Sequence, residues 1–216
     1  MSESVLRDLR AWFPARDAPL CAPEDLGRYE QGARYGSGRA LCVMRPRTTE
    51  QVQRVMQVCA RHRCRLVVQG ANTGMTAASS PDASGSQVLL SLERFKAPLE
   101  IDAAARVARV GAGVLLSELN AAAAPHGLFF PIDLSADPCM GGMVATNTGG
   151  TRLMRYGDVR QNLLWLKAVL ADEHATLLDA ANLVQKNNTG LDAKQLFVGT
   201  ASSFGVVTEL MVRLAP

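Results

Sequence analysis

Residues 140–150 have the sequence Met-Gly-Gly-Met-Val-Ala-Thr-Asn-Thr-Gly-Gly, which puts four glycines and five other small residues into eleven positions. Arg155-Tyr156-Gly157 follows closely. Glycine lets a backbone approach another body closely and adopt a positive φ, but it weakens helices and strands. A stretch this rich in small residues therefore needs a specific reason. Either two backbones pack here at close quarters, or a large, flat, polar ligand lies against the chain.

The composition is that of an ordinary globular protein, with 48% apolar and 20% charged residues in a chain of 216. A chain of this length forms one large domain or two small lobes. Its net charge of +3 is too small and too evenly spread to indicate nucleic acid binding. No run of about 18 apolar residues exists, so we predict no transmembrane segment. The N-terminal ten residues are charged, unlike a signal peptide.

The cysteines predict reduced thiols. There are five, an odd number, and only Cys59 and Cys64 are near neighbours, at a spacing that is not C-x-x-C. We therefore expect a cytoplasmic protein, with peripheral association at the inner face of the membrane as a variant. The three histidines are scattered, so no metal site is predicted.

The first part of the chain predicts a small parallel α/β lobe over residues 36–95, preceded by an N-terminal helix and a connector over residues 1–35. Leu41–Met44, Leu66–Val68 and Val88–Leu90 are short apolar runs typical of buried strands. Thr48, with Gln51 three residues later, has the capping-box pattern that begins a helix.

A glycine-rich turn follows the strand that ends at Val68. Gly70 and Gly74 free the backbone sterically, and Asn72 tolerates a left-handed conformation. Such a turn after a strand can direct several backbone N–H groups at an anion. The sequence is neither a P-loop nor G-x-G-x-x-G, so a plain turn and a phosphate-binding loop are both compatible with it.

The rest of the chain, residues 96–216, predicts a larger lobe with antiparallel strands and flanking helices. Residues 163–171 and 175–178 form a predicted hairpin with His174 at its tip, and residues 205–214 alternate as a final strand. The predicted fold class is therefore α+β, with two lobes.

Several ordered motifs together resemble the FAD-binding domain shared by the vanillyl-alcohol oxidase and p-cresol methylhydroxylase superfamily (the PCMH-type domain). The branch they resemble most is that of the D-2-hydroxyacid dehydrogenases, which includes the glycolate oxidase subunit, D-2-hydroxyglutarate dehydrogenase and quinone-linked D-lactate dehydrogenase. The motifs lie at residues 68–75, 130–134, 141–150, 155–157, 186–192, 196–199 and 204–209.

The resemblance implies FAD as the cofactor, bound non-covalently. It implies that a first group of residues wraps the FAD pyrophosphate: Gly70, Ala71, Asn72, Thr73, Gly74 and Met75. A second group would lie beside the isoalloxazine and the ribityl chain: Pro131, Asp133, Gly141, Gly142, Ala145, Thr146, Asn147, Gly149 and Gly150. The backbone of Val206 and Val207 would meet the adenine end.

The sequence departs from the family pattern in two places. Relatives often carry Gly-Gly where this chain has Ala77-Ala78. Near the C-terminus the family commonly reads Gly-Ser-Glu-Gly-Thr-Leu-Gly, whereas residues 199–205 read Gly-Thr-Ala-Ser-Ser-Phe-Gly. Of the residues that could attach FAD covalently, only Cys139 lies near the flavin segment, and it is not at an attachment position of the family.

The function that the resemblance implies is that of an FAD-dependent oxidoreductase, which oxidises a D-2-hydroxyacid of the lactate or glycolate type by hydride transfer to FAD. Electrons would pass to a quinone or another carrier. In this branch a C-terminal cap domain supplies the substrate chemistry, so no catalytic residue is assigned within the chain. Two alternatives remain: a non-catalytic FAD-binding or electron-transfer subunit that needs a partner chain, and a relative that has lost FAD.

Overall fold

The computed structural model describes residues 2–180 and 190–216. The chain divides into two compact units. Unit 1 extends from the N-terminus to Arg94 and includes Ala171–Thr176, and unit 2 comprises Phe95–Leu170 and Leu177–Pro216. The motif residues 186–189 lie outside the described residues.

Unit 1 is a three-stranded parallel sheet with helices. Its strands are ordered β1-β3-β2, and both pairings are parallel. Every residue of the central strand β3 is buried, most of β1 is buried, and the apolar residues of β2 are half-buried. The elements are α1 (Ser2–Trp12), a 3-10 turn (Ala15–Asp17), α2 (Pro23–Glu30), β1 (Ala40–Met44), α3 (Thr49–Arg61), β2 (Leu66–Gln69) and β3 (Gln87–Ser91).

The predicted parallel lobe is confirmed, and the helix start at Thr48 is as expected. The Thr48 hydroxyl accepts a hydrogen bond from the Gln51 N–H at 3.3 Å, while the Gln51 side chain accepts from the Arg47 N–H at 2.7 Å. One expectation was incomplete, because the connector before residue 36 contains the helix α2. Pro23 stands at its first position, where a missing N–H costs nothing.

Unit 2 is built on a five-stranded antiparallel sheet with strand order β4-β5-β8-β6-β7. Among the described residues, the predicted hairpin is confirmed as β6 and β7, and His174 is exposed at its tip. The elements are β4 (Leu99–Asp102), β5 (Val107–Gly111), α4 (Leu116–Ala123), a 3-10 turn (Ala124–His126), α5 (Met140–Thr146), α6 (Leu153–Tyr156), α7 (Val159–Asn162), β6 (Leu163–Leu170), β7 (Leu177–Asp179), a 3-10 turn (Ala193–Leu196) and β8 (Gly205–Arg213).

The glycine-rich stretch that begins at Met140 contains a helix, α5, which the sequence did not predict. Met140, Met143 and Val144 are fully buried in the core of unit 2, together with Leu166 of β6 and Leu210 of β8. Packing against the sheet thus stabilises a helix that two adjacent glycines would otherwise disfavour. No helix in the described part of the chain is long and apolar enough to cross a membrane.

Candidate functional site

The first candidate segment is the loop that follows β2 in unit 1. Gln69, at the end of β2, is 2% exposed and holds the loop by its side-chain amide. Its Nε2 donates to the Tyr29 carbonyl at 2.8 Å and to the Ser79 carbonyl at 2.9 Å. Both ends of the loop are thereby fixed by one buried amide group.

Asn72 shapes the middle of this loop. Its φ is +55°, in the left-handed region that asparagine tolerates better than most residues. Its Nδ2 donates to the Gln31 carbonyl at 2.8 Å, and its Oδ1 accepts from the Ser79 hydroxyl at 2.9 Å. Side chains, rather than bonds within the loop backbone, therefore determine its conformation.

The loop leaves its backbone donors available. Within the described residues, the N–H groups of Gly70 to Ser79 donate to no acceptor of the protein. A Cβ built on Gly74 would have no atom within 4 Å, and the buried Ser80 hydroxyl also has no partner in the described part of the chain. Uncommitted N–H groups beside an open glycine suit an anionic group that approaches the backbone.

The second candidate segment, in unit 2, uses its glycines in two different ways. A Cβ on Gly141 would lie 2.6 Å from the Ala112 Cβ, and the Gly141 N–H donates to the Ala112 carbonyl at 2.8 Å. Gly141 is therefore required for packing. A Cβ on Gly142 would lie 3.3 Å from the Cys139 sulfur, which would have to shift slightly, and no other described atom would be within 4 Å.

Gly150 is also explained by packing. Its φ is +92°, and a Cβ there would lie 2.6 Å from the Asp133 carbonyl oxygen. The Asp133 carbonyl accepts from the Thr151 N–H, and its carboxylate accepts from the Thr151 hydroxyl, both at 3.0 Å. Gly149, by contrast, has only ordinary contacts with Leu153. Asp133 and Gly150 thus hold each other in place.

Asn147 ends α5 in the left-handed conformation, with φ +49°. Its Nδ2 donates to the Asp158 carboxylate at 2.9 Å, and its Oδ1 accepts from the Arg160 N–H at 3.0 Å. Both polar atoms of the Asn147 side chain are thus bonded within the protein. The Thr146 hydroxyl donates back to the Gly142 carbonyl at 3.0 Å.

A turn at residues 199–205 joins this segment. The Gly199 N–H donates to the Val144 carbonyl at 3.0 Å, and the Ala201 N–H donates to the Ala145 carbonyl at 2.8 Å. Sequence reasoning did not place Gly199, Ala201, Asp158 or Arg160 at the site. The signal that could have found Asp158 was its position directly after the Arg-Tyr-Gly motif.

Both departures from the family pattern coincide with left-handed backbone. Ala77 has φ +58°, and Ser202 has φ +65°. Glycine, which the family pattern given above has at these two positions, adopts such a conformation at lower cost. This chain thus has a left-handed backbone at two positions that carry a side chain.

Pro131 and the Arg-Tyr-Gly motif lie together in unit 2. Pro131, Arg155 and Tyr156 line a cavity of about 440 Å³. Pro131 itself is buried, as is most of the chain that leads from it to Asp133. Of the second group of predicted residues, only Pro131 lines this cavity. The structure joins Asp133 to Gly150, and the role of the group at a flavin stays a prediction.

Val206 and Val207 lie in β8 and are 1% and 6% exposed. They pair with Val169 and Ala168 of β6, whereas the pairing of β8 with β5 stops at Glu209 opposite Gly111. Their predicted role at the adenine end stays a prediction.

Glu209, the acid of the last motif, is engaged within the sheet of unit 2. Its carboxylate lies 2.6 Å from Arg109 Nη2 and 3.3 Å from Lys167 Nζ. The hydrogen bond that Arg109 donates to the Glu209 carboxylate raises the pKa of the Arg109 guanidinium. Glu209 therefore links neighbouring strands rather than offering a free carboxylate.

The comparisons with known proteins identify the family of the chain. A family model described as "FAD binding domain" matches residues 40–178. Glycolate oxidase subunit GlcD of Escherichia coli K12 is 37% identical over 99% of this chain and 42% of its own length. D-2-hydroxyglutarate dehydrogenase of Bos taurus is 36% identical over 100% of this chain and 39% of its own length. D-lactate dehydrogenase of Archaeoglobus fulgidus is 34% identical over 90% of this chain and 44% of its own length.

Solved structures share the fold. An alkyldihydroxyacetonephosphate synthase superposes with a TM-score of 0.85 over 99% of this chain and 40% of its own, at 18% identity. Wild-type Phl p 4.0202, a glucose dehydrogenase, superposes with a TM-score of 0.81 at 25% identity. The match covers 98% of this chain and 44% of that one. The chain spans about two fifths of the length of the relatives it matches.

Proposed function

Because the chain belongs to the FAD binding domain family, we propose that it is the cofactor-binding part of a flavin-dependent oxidoreductase that oxidises a D-2-hydroxyacid of the lactate or glycolate type. The relatives named D-lactate dehydrogenase, D-2-hydroxyglutarate dehydrogenase and glycolate oxidase subunit support this substrate class. When bound, FAD supplies a two-electron acceptor for the hydride of the substrate carbon. A quinone or another carrier then receives the electrons.

The observation that carries the proposal is that the N–H groups of Gly70 to Ser79 donate to no acceptor among the described residues. Two phosphates can be bound by backbone donors without a neighbouring lysine or arginine, because each N–H carries a partial positive charge. The amide of Gln69 and the side chain of Asn72 fix the loop before any ligand arrives. We assign the FAD pyrophosphate to Gly70–Met75.

The second group of residues, from Pro131 to Gly150, is assigned to the isoalloxazine and ribityl part. Gly142 and Gly149 support this assignment, since a side chain at either would extend into space that the protein leaves open. Gly141 and Gly150 contribute indirectly. Gly141 lets α5 pack against Ala112, and Gly150 lets the chain pack against Asp133. The thiol of Cys139 is 2% exposed and accepts from the Gly142 N–H, which favours non-covalent binding.

Substrate chemistry is assigned to residues outside this chain, in a further domain or in a partner subunit. The relatives are more than twice as long as the part that this chain matches. The alternative is a FAD-binding or electron-transfer subunit without turnover of its own. The Escherichia coli relative is described as a subunit, which supports this alternative.

An absorbance spectrum of the purified protein from the near-UV to the blue tests cofactor binding. We expect flavin absorbance that stays with the protein through desalting, and a higher melting temperature after FAD addition, because a ligand at 100 times its Kd stabilises by about 2.7 kcal/mol. Protein that stays colourless and unshifted in melting temperature after FAD addition would overturn the proposal.

Substitution of Gly142 by valine tests the second segment. We expect Gly142→Val to abolish FAD binding while the protein stays folded, because the new side chain occupies space that the protein itself does not need. Gly27→Val is the matched control, since Gly27 also lies in a helix and has no atom within 4 Å of a built Cβ. Full flavin occupancy in Gly142→Val would show that the assignment of α5 is wrong.

A substrate panel separates the enzyme from its alternative. The intact gene product is assayed with lactate, glycolate and 2-hydroxyglutarate in both configurations, with an artificial electron acceptor. Turnover of a D-2-hydroxyacid supports the enzyme. FAD binding without turnover, restored by a partner chain, identifies the subunit.

A further inference from the structure

Two cysteines of unit 1 meet at the end of α3. The Cys64 N–H donates to the Cys59 carbonyl at 2.8 Å, and the Arg63 N–H donates to the Ala60 carbonyl at 3.0 Å. Arg63 has φ +52°. This pair of hydrogen bonds around a left-handed residue is the Schellman motif, which brings together the side chains of its first and last residues. Here those side chains are the two thiols.

The two thiols differ in accessibility. Cys59 is 3% exposed on the inner face of α3, whereas Cys64 is half-buried. The Cys64 thiol donates to the Ser86 carbonyl at 3.3 Å and to the Arg65 carbonyl at 3.6 Å. By exposure, Cys64 is the more accessible of the two thiols.

The groups around Cys64 act on its pKa in opposite directions, since its bonds to the two carbonyls favour the protonated thiol whereas other neighbours favour the thiolate. A hydrogen bond from the Cys59 thiol lowers the pKa of Cys64 to about 6, and a backbone bond from Val88 and the charges of His62 and Arg65 act in the same direction against burial. The pKa of Cys59 is raised by its hydrogen bond to Cys64 and by burial. The nearby carboxylates are already bound: Asp8 contacts His62, and Asp82 contacts Arg65.

We propose that Cys59 and Cys64 form a redox-active dithiol, in which Cys64 is the peroxide-reactive thiol and Cys59 is the resolving thiol. The Cys64 thiolate attacks one oxygen of a hydroperoxide. An S–O bond forms, the O–O bond breaks, and hydroxide or an alkoxide leaves. The Cys59 thiol then attacks the Cys64 sulfur. The S–S bond forms, the S–O bond breaks, and water leaves with the Cys59 proton. Two thiols thus supply the two electrons that reduce one peroxide.

Oxidation of the full chain with hydrogen peroxide, followed by trypsin digestion without reductant, tests the linkage. Arg61 and Arg63 separate the two cysteines, so trypsin releases Val55–Arg61 and Cys64–Arg65 as separate peptides unless a disulfide joins them. We expect the joined pair, with the mass of two hydrogens lost. Absence of the joined pair after oxidation, or a bond from Cys64 to Cys42 in its place, overturns the proposal.

Two variants test the order of the steps. Cys59→Ser should stop at the sulfenic acid of Cys64, which dimedone labels, and Cys59→Ala serves if the serine variant does not fold. Cys21→Ser is the matched control, since Cys21 is half-buried and its sulfur contacts Arg10 and the Pro19 carbonyl. The control should form the disulfide as the wild type does. Dimedone labelling of Cys59 rather than Cys64 in the wild type would contradict the assigned roles.

Alkylation by iodoacetamide at pH 6 tests Cys64 independently of oxidation. Because the pKa of Cys64 is lowered, a larger fraction of it is thiolate at pH 6 than of an ordinary cysteine, and this outweighs the lower nucleophilicity of an acidic thiol. Cys64 should thus react faster in the native protein than in the urea-unfolded chain. Equal or slower reaction in the native protein would count against an activated thiol.

Discussion

The two glycine-rich segments look alike in the sequence but use glycine differently. In the loop after β2, a Cβ built on Gly74 would have no described atom within 4 Å. The N–H groups of the loop have no acceptor among the described residues. In the segment from Met140 to Gly150, two of the four glycines are required where one part of unit 2 touches another. Glycine content therefore indicates a close approach without saying whether protein or ligand makes it.

The difference has a physical origin in what surrounds each segment. The loop in unit 1 is held by the side chains of Gln69 and Asn72, so its own N–H groups need not bond to the protein. The segment in unit 2 begins with a helix whose apolar side enters the core, and its backbone must fit against Ala112 and Asp133. A substitution at Gly74 in the first segment should consequently affect ligand binding, whereas one at Gly141 or Gly150 in the second should affect folding.

Gly150→Ala is expected to have the largest effect on stability. Its Cβ would lie 2.6 Å from the Asp133 carbonyl oxygen, at a φ of +92° that alanine adopts poorly. Overpacking and left-handed strain together should lower the free energy of unfolding by about 2–4 kcal/mol. Urea unfolding followed by circular dichroism measures this change.

Gly149→Ala is the control for that experiment. A Cβ there meets only Leu153, at 3.5 Å, which is ordinary contact. The free energy of unfolding should change by less than about 0.5 kcal/mol, as is usual for surface substitutions. If the two variants lose equal stability, the distinction between packing glycines and open glycines fails.

Much of the fold could be predicted from the sequence, because apolar periodicity reports which residues a strand or helix buries. The β1, β3 and β6–β7 predictions depended on such runs. Helix α5 was missed because local propensity argues against Gly141 and Gly142 in a helix, whereas the burial of its methionines outweighs that propensity.

The candidate site could be predicted only in part. The resemblance identified Gly141 and Gly150, but the role of each depends on Ala112 and Asp133, which are distant in the sequence. Likewise, no local pattern says that the N–H groups after Gly70 lack acceptors among the described residues, since the loop is held by bonds from Gln69 and Asn72 to the carbonyls of Tyr29 and Gln31, which are distant in the sequence. Long-range contacts decided both points.

Gly74 tests the other side of the comparison. Gly74→Val should leave the free energy of unfolding within about 0.5 kcal/mol of the wild type, because the position is exposed and open. FAD affinity should fall roughly 10- to 100-fold, which corresponds to losing one hydrogen bond to a charged phosphate. Isothermal titration of the FAD-free protein measures the affinity.

Gly74→Ala is an intermediate variant for that experiment. Its side chain is smaller than that of valine, so it should cause a smaller loss of FAD affinity. A stepwise loss from glycine through alanine to valine, with stability unchanged, indicates that a ligand approaches the backbone. Wild-type affinity in both variants would mean that the loop is a plain turn and does not hold the pyrophosphate.

The smallest expected effect concerns the turn that bonds to the end of α5 through the Ala201 N–H. Ser202 has φ +65° where relatives carry glycine. Ser202→Gly removes left-handed strain of about 1–2 kcal/mol but adds freedom to the unfolded chain, so stability should rise by about 0.5–1 kcal/mol. Ser203→Gly, which loses the hydrogen bond from the Ser203 hydroxyl to the Thr200 carbonyl at 2.6 Å, should instead lower stability. If urea unfolding shows Ser202→Gly to be no more stable than the wild type, a side chain at this position has no cost in stability. The turn at residues 199–205 would then accept a residue other than glycine, whereas the close contacts at Gly141 and Gly150 do not.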